Sequence, residues 1–319
     1  MMRFLKLLIV GLLLAIPGLA SADAGDIPGA STWYFHVDLD EMRSDEVGKS
    51  LYGWMDEEIF SEIDEETGVN LGEQLNKVTA YSLEGQGPVF LFEGNISQES
   101  RDLVMTFIAA EGDLQPMKSS GKSYYRLAAE SDEDGEEGDR TVGTGDIEFQ
   151  IEALEEESWI SLDLKNKVIV TASEEQMKAM LASGGKIKGG GNHKGALLVL
   201  TAEKALLQAG MNSSALGEDD DGDSDWDSNI LRNTEQVAIL VAAVANKLAI
   251  EIELITTEPE MAESLASVAR GLISLVSFDD SMDDDAIAVL QSTRVKAKGN
   301  SLNLSLAIDP SLVVATLRD

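Results

Sequence analysis

Two histidines, at positions 36 and 193, are the chain's whole stock of imidazole, and there is no cysteine. Imidazole is the side chain that titrates closest to neutral pH. His36 is followed by Asp38 and Asp40 at a spacing of two. On an extended strand that spacing places all three on one side, where a His–Asp acid/base pair or part of a metal site could form. The same spacing also fits a solvated outer strand face, and a third metal ligand is not evident. His193 lies in a stretch rich in glycine and lysine, which reads as a linker. No G-x-S-x-G elbow supplies a nucleophile for either histidine.

The run DDDGDSDWD, residues 219 to 227, is the clearest candidate for a cation. Calcium takes six to eight oxygens, and Asp219, Asp221, Asp223, Asp225 and Asp227 alternate along the run. With Gly222 at the turn position of an EF-hand loop, Asp219 and Asp221 fall on ligand positions. Gly217 and Ser228 then occupy the two end positions, where carboxylates are required. The run reads first as a solvated acidic loop, with weak calcium binding as the alternative, and no cofactor is implied. Gly121-Lys122-Ser123 ends like a phosphate loop, but Pro116 stands where the first glycine belongs. Without cysteine, disulfides, thiolate catalysis and thiolate-bound zinc are excluded.

Charge sets the next boundary. The chain carries 58 acidic against 24 basic residues, a net charge of -34. Such a surface repels phosphate backbones and anionic lipid, so nucleic acid is not an expected partner.

The elements that would position these residues can be read from periodicity. Trp33, Phe35, Val37 and Leu39 alternate with Tyr34, His36 and Asp38, a strand from Thr32 to Leu39. A helix from about Asp45 would turn Val47, Leu51, Trp54, Ile59 and Ile63 inward and stop before Gly68. Val78 to Leu83 and Val89 to Phe92 read as a hairpin, followed by a helix capped by Ser97 with Leu103, Phe107 and Ile108 buried. Further strands flank an acidic insertion at Glu130 to Asp139. Trp159 to Leu164 and Lys167 to Thr171 then pair, and Ser173 with Gln176 has the spacing of a capping box before a short helix.

After residues 186–194, taken as the linker, the order recurs. Ala196 to Leu200 is a strand, and Thr201 is placed to cap a short helix. Val237 to Val244 pairs with Leu248 to Ile255, and a helix from Pro259 follows, with Met261, Leu265, Val268, Leu272 and Val276 as its buried stripe. Thr293 to Ala297 and Leu302 to Ile308 pair across Gly299-Asn300. A last helix covers Pro310 to Leu317, and a third acidic loop spans Asp279 to Asp285.

Residues 1–22 have the pattern of a signal peptide: Arg3 and Lys6, an apolar run from Leu7 to Ile16, then Ala20-Ser21-Ala22 as a small-residue cleavage site. No later apolar run is long enough for a stable membrane span. The fold expected is α+β, in two tandem related halves (23–185 and 195–319). Each half is a mainly antiparallel sheet with helices on one face, a ferredoxin-like core with additions. The function expected is that of an exported, periplasmic or secreted, non-catalytic protein that binds or interacts in the envelope. Its partner would be an envelope protein or a small apolar ligand or lipid carried between the halves.

The charge excess makes a prediction of its own. Self-repulsion among carboxylates destabilises a compact chain and dissolved salt screens it. The melting temperature is expected to rise between low and high salt, and a flat response in thermal unfolding would show that repulsion is not felt.

Overall fold

The computed structural model describes residues 27–28, 31–111, 113–128, 157–187, 193–204, 233–276 and 284–318. The signal-like segment, the acidic insertion at 130–139 and the aspartates at 219 to 227 lie outside these residues.

Among the described residues, strand-forming alternation produces twelve strands: β1 (Ser31–Asp38), β2 (Leu75–Leu83), β3 (Pro88–Gly94), β4 (Asp113–Ser119), β5 (Lys122–Ala128), β6 (Ser158–Ser161), β7 (Lys167–Thr171), β8 (Ala196–Glu203), β9 (Thr234–Val244), β10 (Lys247–Thr256), β11 (Arg294–Lys298) and β12 (Ser301–Ile308). They form one sheet in the order β11-β12-β10-β9-β8-β1-β2-β3-β7-β6-β5-β4. Every ladder is antiparallel. The fold is therefore a mixed α+β structure built on a large antiparallel sheet. A split βαβ unit of a ferredoxin-like core sets a third strand between its two, whereas here β2, the strand that follows the first helices, pairs directly with β1.

Several joints are tight. Ala245 and Asn246 both have positive φ, 51° and 62°, as a two-residue mirror-image turn demands between β9 and β10. Ser120 and Gly121 do the same between β4 and β5, so the stretch resembling a phosphate loop is a hairpin turn. The outermost strands are guarded against pairing with another chain, β4 by Pro116 and β11 by Arg294, Lys296 and Lys298.

The helices are α1 (Leu39–Ser44), α2 (Gly48–Met55), α3 (Ser61–Thr67), α4 (Leu71–Gln74), α5 (Gln98–Glu111), α6 (Glu174–Ser183), α7 (Pro259–Val276), α8 (Asp284–Ser292) and α9 (Pro310–Arg318). A π turn at Asp56–Phe60 joins α2 to α3, and Gly68 closes that run in the left-handed conformation at φ 69°. The expected helix from Asp45 is thus this run, preceded by α1. Sequence reasoning missed α1 because Asp38 is both the end of β1 and the cap of the helix that follows. The helix expected after Thr201 does not start there, because β8 continues to Glu203 and Thr201 pairs with Ala238 inside it. The loop expected at Asp279 to Asp285 is in part the first turn of α8.

One sheet face carries Val37, Leu197, Ile239, Val241, Ile250, Ile252 and Leu306, packed with Leu39, Trp54, Phe60 and Val313 from the helices. The other face carries Tyr34, Tyr81, Val89, Leu91, Tyr124 and Ile169, covered by Met177, Met180 and Leu181 of α6. Helices therefore occupy both faces, where one was expected. In α5 the buried positions near its start are Ser100 and Arg101, and Leu103 stands 39% exposed. Arg101 donates to the carbonyls of Ile96 (3.2 Å), Lys165 (2.7 Å) and Leu162, pinning α5 to the β6–β7 connection.

Gly94 ends β3 where the chain passes close to Gln74, and a Cβ there would meet the Gln74 carbonyl oxygen at 2.0 Å. Gly94→Ala is expected to cost about 2 kcal/mol or more in urea unfolding, as overpacking does. A loss within about 0.5 kcal/mol would show that this approach relaxes freely.

Candidate functional site

Backbone register decides which side chains meet His36. In β1 it faces Thr79 of β2 on one side and Val199 of β8 on the other. These residues continue a single row across the sheet through Leu240 of β9 and Glu251 of β10. His36 is only 2% exposed. Its Nδ1 is 2.8 Å from the Thr79 hydroxyl, one group donating and the other accepting.

The second histidine comes to the same place. His193, just before β8, is buried, and its Nε2 is 2.8 Å from the Tyr34 hydroxyl. The two imidazole ring centres are 5.1 Å apart at a 48° tilt, and Tyr34 lies 5.3 Å from His193 and 6.4 Å from His36. Residues 159 positions apart thus form one cluster of two imidazoles, a phenol and a hydroxyl beside the β1–β8 seam. Sequence reasoning put His193 in a linker. The signals available were that it is the one other imidazole and that a strand begins three residues later.

The chemistry of this cluster follows from its dryness. Burial, reinforced by His193 and Lys77, holds the His36 imidazole down at about 4, with Asp38 opposing more weakly. The ring is neutral at neutral pH. Asp38 does not hydrogen-bond it, having both oxygens engaged elsewhere: Oδ1 accepts from the Glu41 amide at 3.0 Å, and Oδ2 pairs with Lys77 Nζ at 2.5 Å. The carboxylate caps α1 and anchors β2. Asp40 is exposed and 3.9 Å from Arg43. The three residues of the His36-x-Asp38-x-Asp40 pattern therefore do three separate jobs.

A neutral imidazole could take up a proton, but at 2% exposure His36 reaches no substrate while the sheet is closed. Among the described residues, no group of three histidine, aspartate or glutamate side chains is placed to hold a metal ion. Asp219, Asp221, Asp223, Asp225 and Asp227, the calcium candidates, are not among those residues. The β1–β8 seam carries Tyr34 and Val199, both buried, on the same side as His36.

No family model matches the chain, and no curated protein matches it. Among solved structures it is similar to three crystal forms of a protein named TP0453. Form III has TM-score 0.45 at 10% identity, over 93% of this chain and 98% of that one. Forms I and IV give TM-scores of 0.41 and 0.45 at 9% and 10% identity, over the same 93% of this chain and 97% and 96% of theirs. At that level the likeness carries neither topology nor activity across.

Helix α7 departs most from expectation. Its buried residues are Ala262, Leu265 and Ala266, while Val268, Leu272 and Leu275, two of them expected to face inward, are 38%, 48% and 70% exposed. They recur at intervals of four and three and so share one side of the helix. Among the described residues, no helix is long and apolar enough to cross a membrane.

The Thr79 hydroxyl is the partner of His36 Nδ1. Thr79→Val keeps the branched shape and strands a buried polar nitrogen. Its expected cost is about 1–3 kcal/mol in equilibrium unfolding. A neutral outcome would mean that this hydrogen bond contributes nothing.

Proposed function

We propose that this is an exported, non-catalytic protein that acts by binding, and that it presents the outer side of α7 to an apolar surface on an envelope protein. The single observation that carries this reading is the exposed row Val268, Leu272 and Leu275 on a helix whose adjoining stripe, Ala262, Leu265 and Ala266, is packed. Apolar residues recurring on one exposed helix side mark interaction sites more often than scattered ones do. The net charge of -34 favours a protein partner over an anionic lipid surface. Burial of both histidines removes from reach the residues best suited to acid–base catalysis. Export is supported by the basic, then apolar, then small-residue order of the first 22 positions.

The reading includes a duplicated architecture. On one side of the seam the strands run β1-β2-β3-β7-β6, and on the other β8-β9-β10-β12-β11. A helix follows the third strand in each series, α5 and α7 respectively. Against full equivalence, α6 and α9 pack on opposite sheet faces.

Leu272→Glu with Leu275→Glu tests the binding role, because both positions are largely exposed. Unfolding free energy should stay within about 0.5 kcal/mol of the parent, as for surface changes generally. A photo-reactive side chain placed at position 268 should give one discrete protein adduct in the host envelope, lost in the double variant. An adduct with lipid alone, or an adduct unchanged by the two glutamates, would overturn the reading.

A further inference from the structure

We propose that His36 and His193 form an acid-sensitive latch, which holds the start of β8 against β1 and releases it locally in mild acid. The latch lies on the sheet face that α6 packs against farther along, opposite the main helical layer, and does not depend on the role given to α7.

The geometry is that of a clasp. The Ala196 amide, at the first residue of β8, donates to the His193 carbonyl at 2.9 Å. The His193 ring then reaches the Tyr34 hydroxyl on β1 and packs against His36. Ala196 and Val199 belong to the same apolar cluster as Tyr34, Met177 and Met180. Protonating His36 would place a cation in that cluster with a second imidazole 5.1 Å away. A buried charge is tolerated only if paired.

The surrounding groups decide whether pairing is at hand. On β1 itself these are Tyr34 and Asp38, and on β2 they are Lys77, Thr79 and Tyr81. β8 contributes Val199 and Thr201, and the residue after His193 is the exposed Lys194. α6 contributes Met177 and Met180. Farther along the same row stand Leu240 and Glu251, the latter held above the usual carboxylate range by burial and by Glu253. Asp38 is the carboxylate that favours a protonated His36, and Lys77 already neutralises it. Lys77 and His193 both act against the proton.

The sign of the response follows. With His36 at about 4 when closed, against an ordinary value of 6.5, the opened form binds more protons between those limits. Closure is therefore fully favoured above about pH 6.5 and weakens as pH falls towards 4. From pH 7 to pH 5 the opening equilibrium should rise about twentyfold, taking the ordinary histidine value for the open state. The bulk of the molecule responds in the opposite sense, because acid approaching the isoelectric point of about 4.2 relieves repulsion among carboxylates. Opening at the seam should thus appear against a background that is firming up.

Hydrogen exchange on the full chain at pH 7 and pH 5, corrected for intrinsic rates, reads this directly. The amides from Ala196 to Leu200 should exchange about twentyfold faster at pH 5 relative to those of β12. His36→Gln with His193→Gln keeps hydrogen-bonding groups at both places and should abolish the difference. Equal exchange at the two pH values, or acid opening that persists in the double variant, would overturn the latch. Should that variant fail to fold, imidazole proton NMR of the unaltered chain decides the matter. A midpoint well below 6.5 for at least one ring is required, and two ordinary midpoints would refute it.

Discussion

Main-chain pairing between β1 and β8 is the constraint on which the rest depends. Five residues of β1, Trp33 to Val37, match five of β8, Ala202 to Leu198, and join seven strands on one side to five on the other. Without that ladder each series would end in a long, apolar, unpaired edge in the middle of the present core. Both sheet faces inherit their composition from the register at this seam. Phe35 and Val37 meet Leu200 and Leu198 on one side, while His36 meets Val199 on the other. A slip of one residue would exchange the two sets and bury the wrong one.

The interior shows how a strongly acidic chain treats the few polar groups it encloses. Arg101 is buried with carbonyls from three residues around its guanidinium. Ser161 donates to the Ser123 carbonyl at 2.7 Å, and Gln176 donates to that of Gly87 at 2.7 Å. These contacts tie elements far apart in sequence with neutral acceptors. Hydrogen bonds of this kind add little net energy when made and cost more when broken, so they specify an arrangement more than they stabilise it.

Much of the fold was legible because alternation is a local property. β1, β9, β10 and β12 lie close to where their apolar periods put them, and Ser173 caps α6, its hydroxyl accepting from the Gln176 amide. The coarse class, antiparallel strands with several helices, followed from those segments. What failed was whatever depended on a partner distant in sequence. The outward turn of Val268 and Leu272 could not be read, because small Ala262 and Ala266 seat α7 close to the sheet and so rotate its bulky residues away. Leu103 misled for the same reason, since Arg101 took the inward position through carbonyls contributed some sixty residues later. His36 was singled out correctly as unusual. Its true neighbours, Thr79 and His193, were invisible until strand order was known, and Asp38, adjacent in sequence, proved to be occupied elsewhere.

Strand order also carries a consequence for the way the polypeptide comes together. β2 and β3 can zip onto β1 as soon as they emerge, since each neighbours its predecessor. β1's second flank has to wait for β8, more than 150 residues further on. A chain delivered from its N-terminus, whether by a ribosome or through an export pore, would hold that flank bare throughout the interval. The interval closes when the segment carrying His193 arrives and sets Leu198 to Ala202 beside β1. The flank of β1 that receives β8 thus stays open while the six strands after β1 are already available, an edge of the kind exposed to aggregation until it is paired.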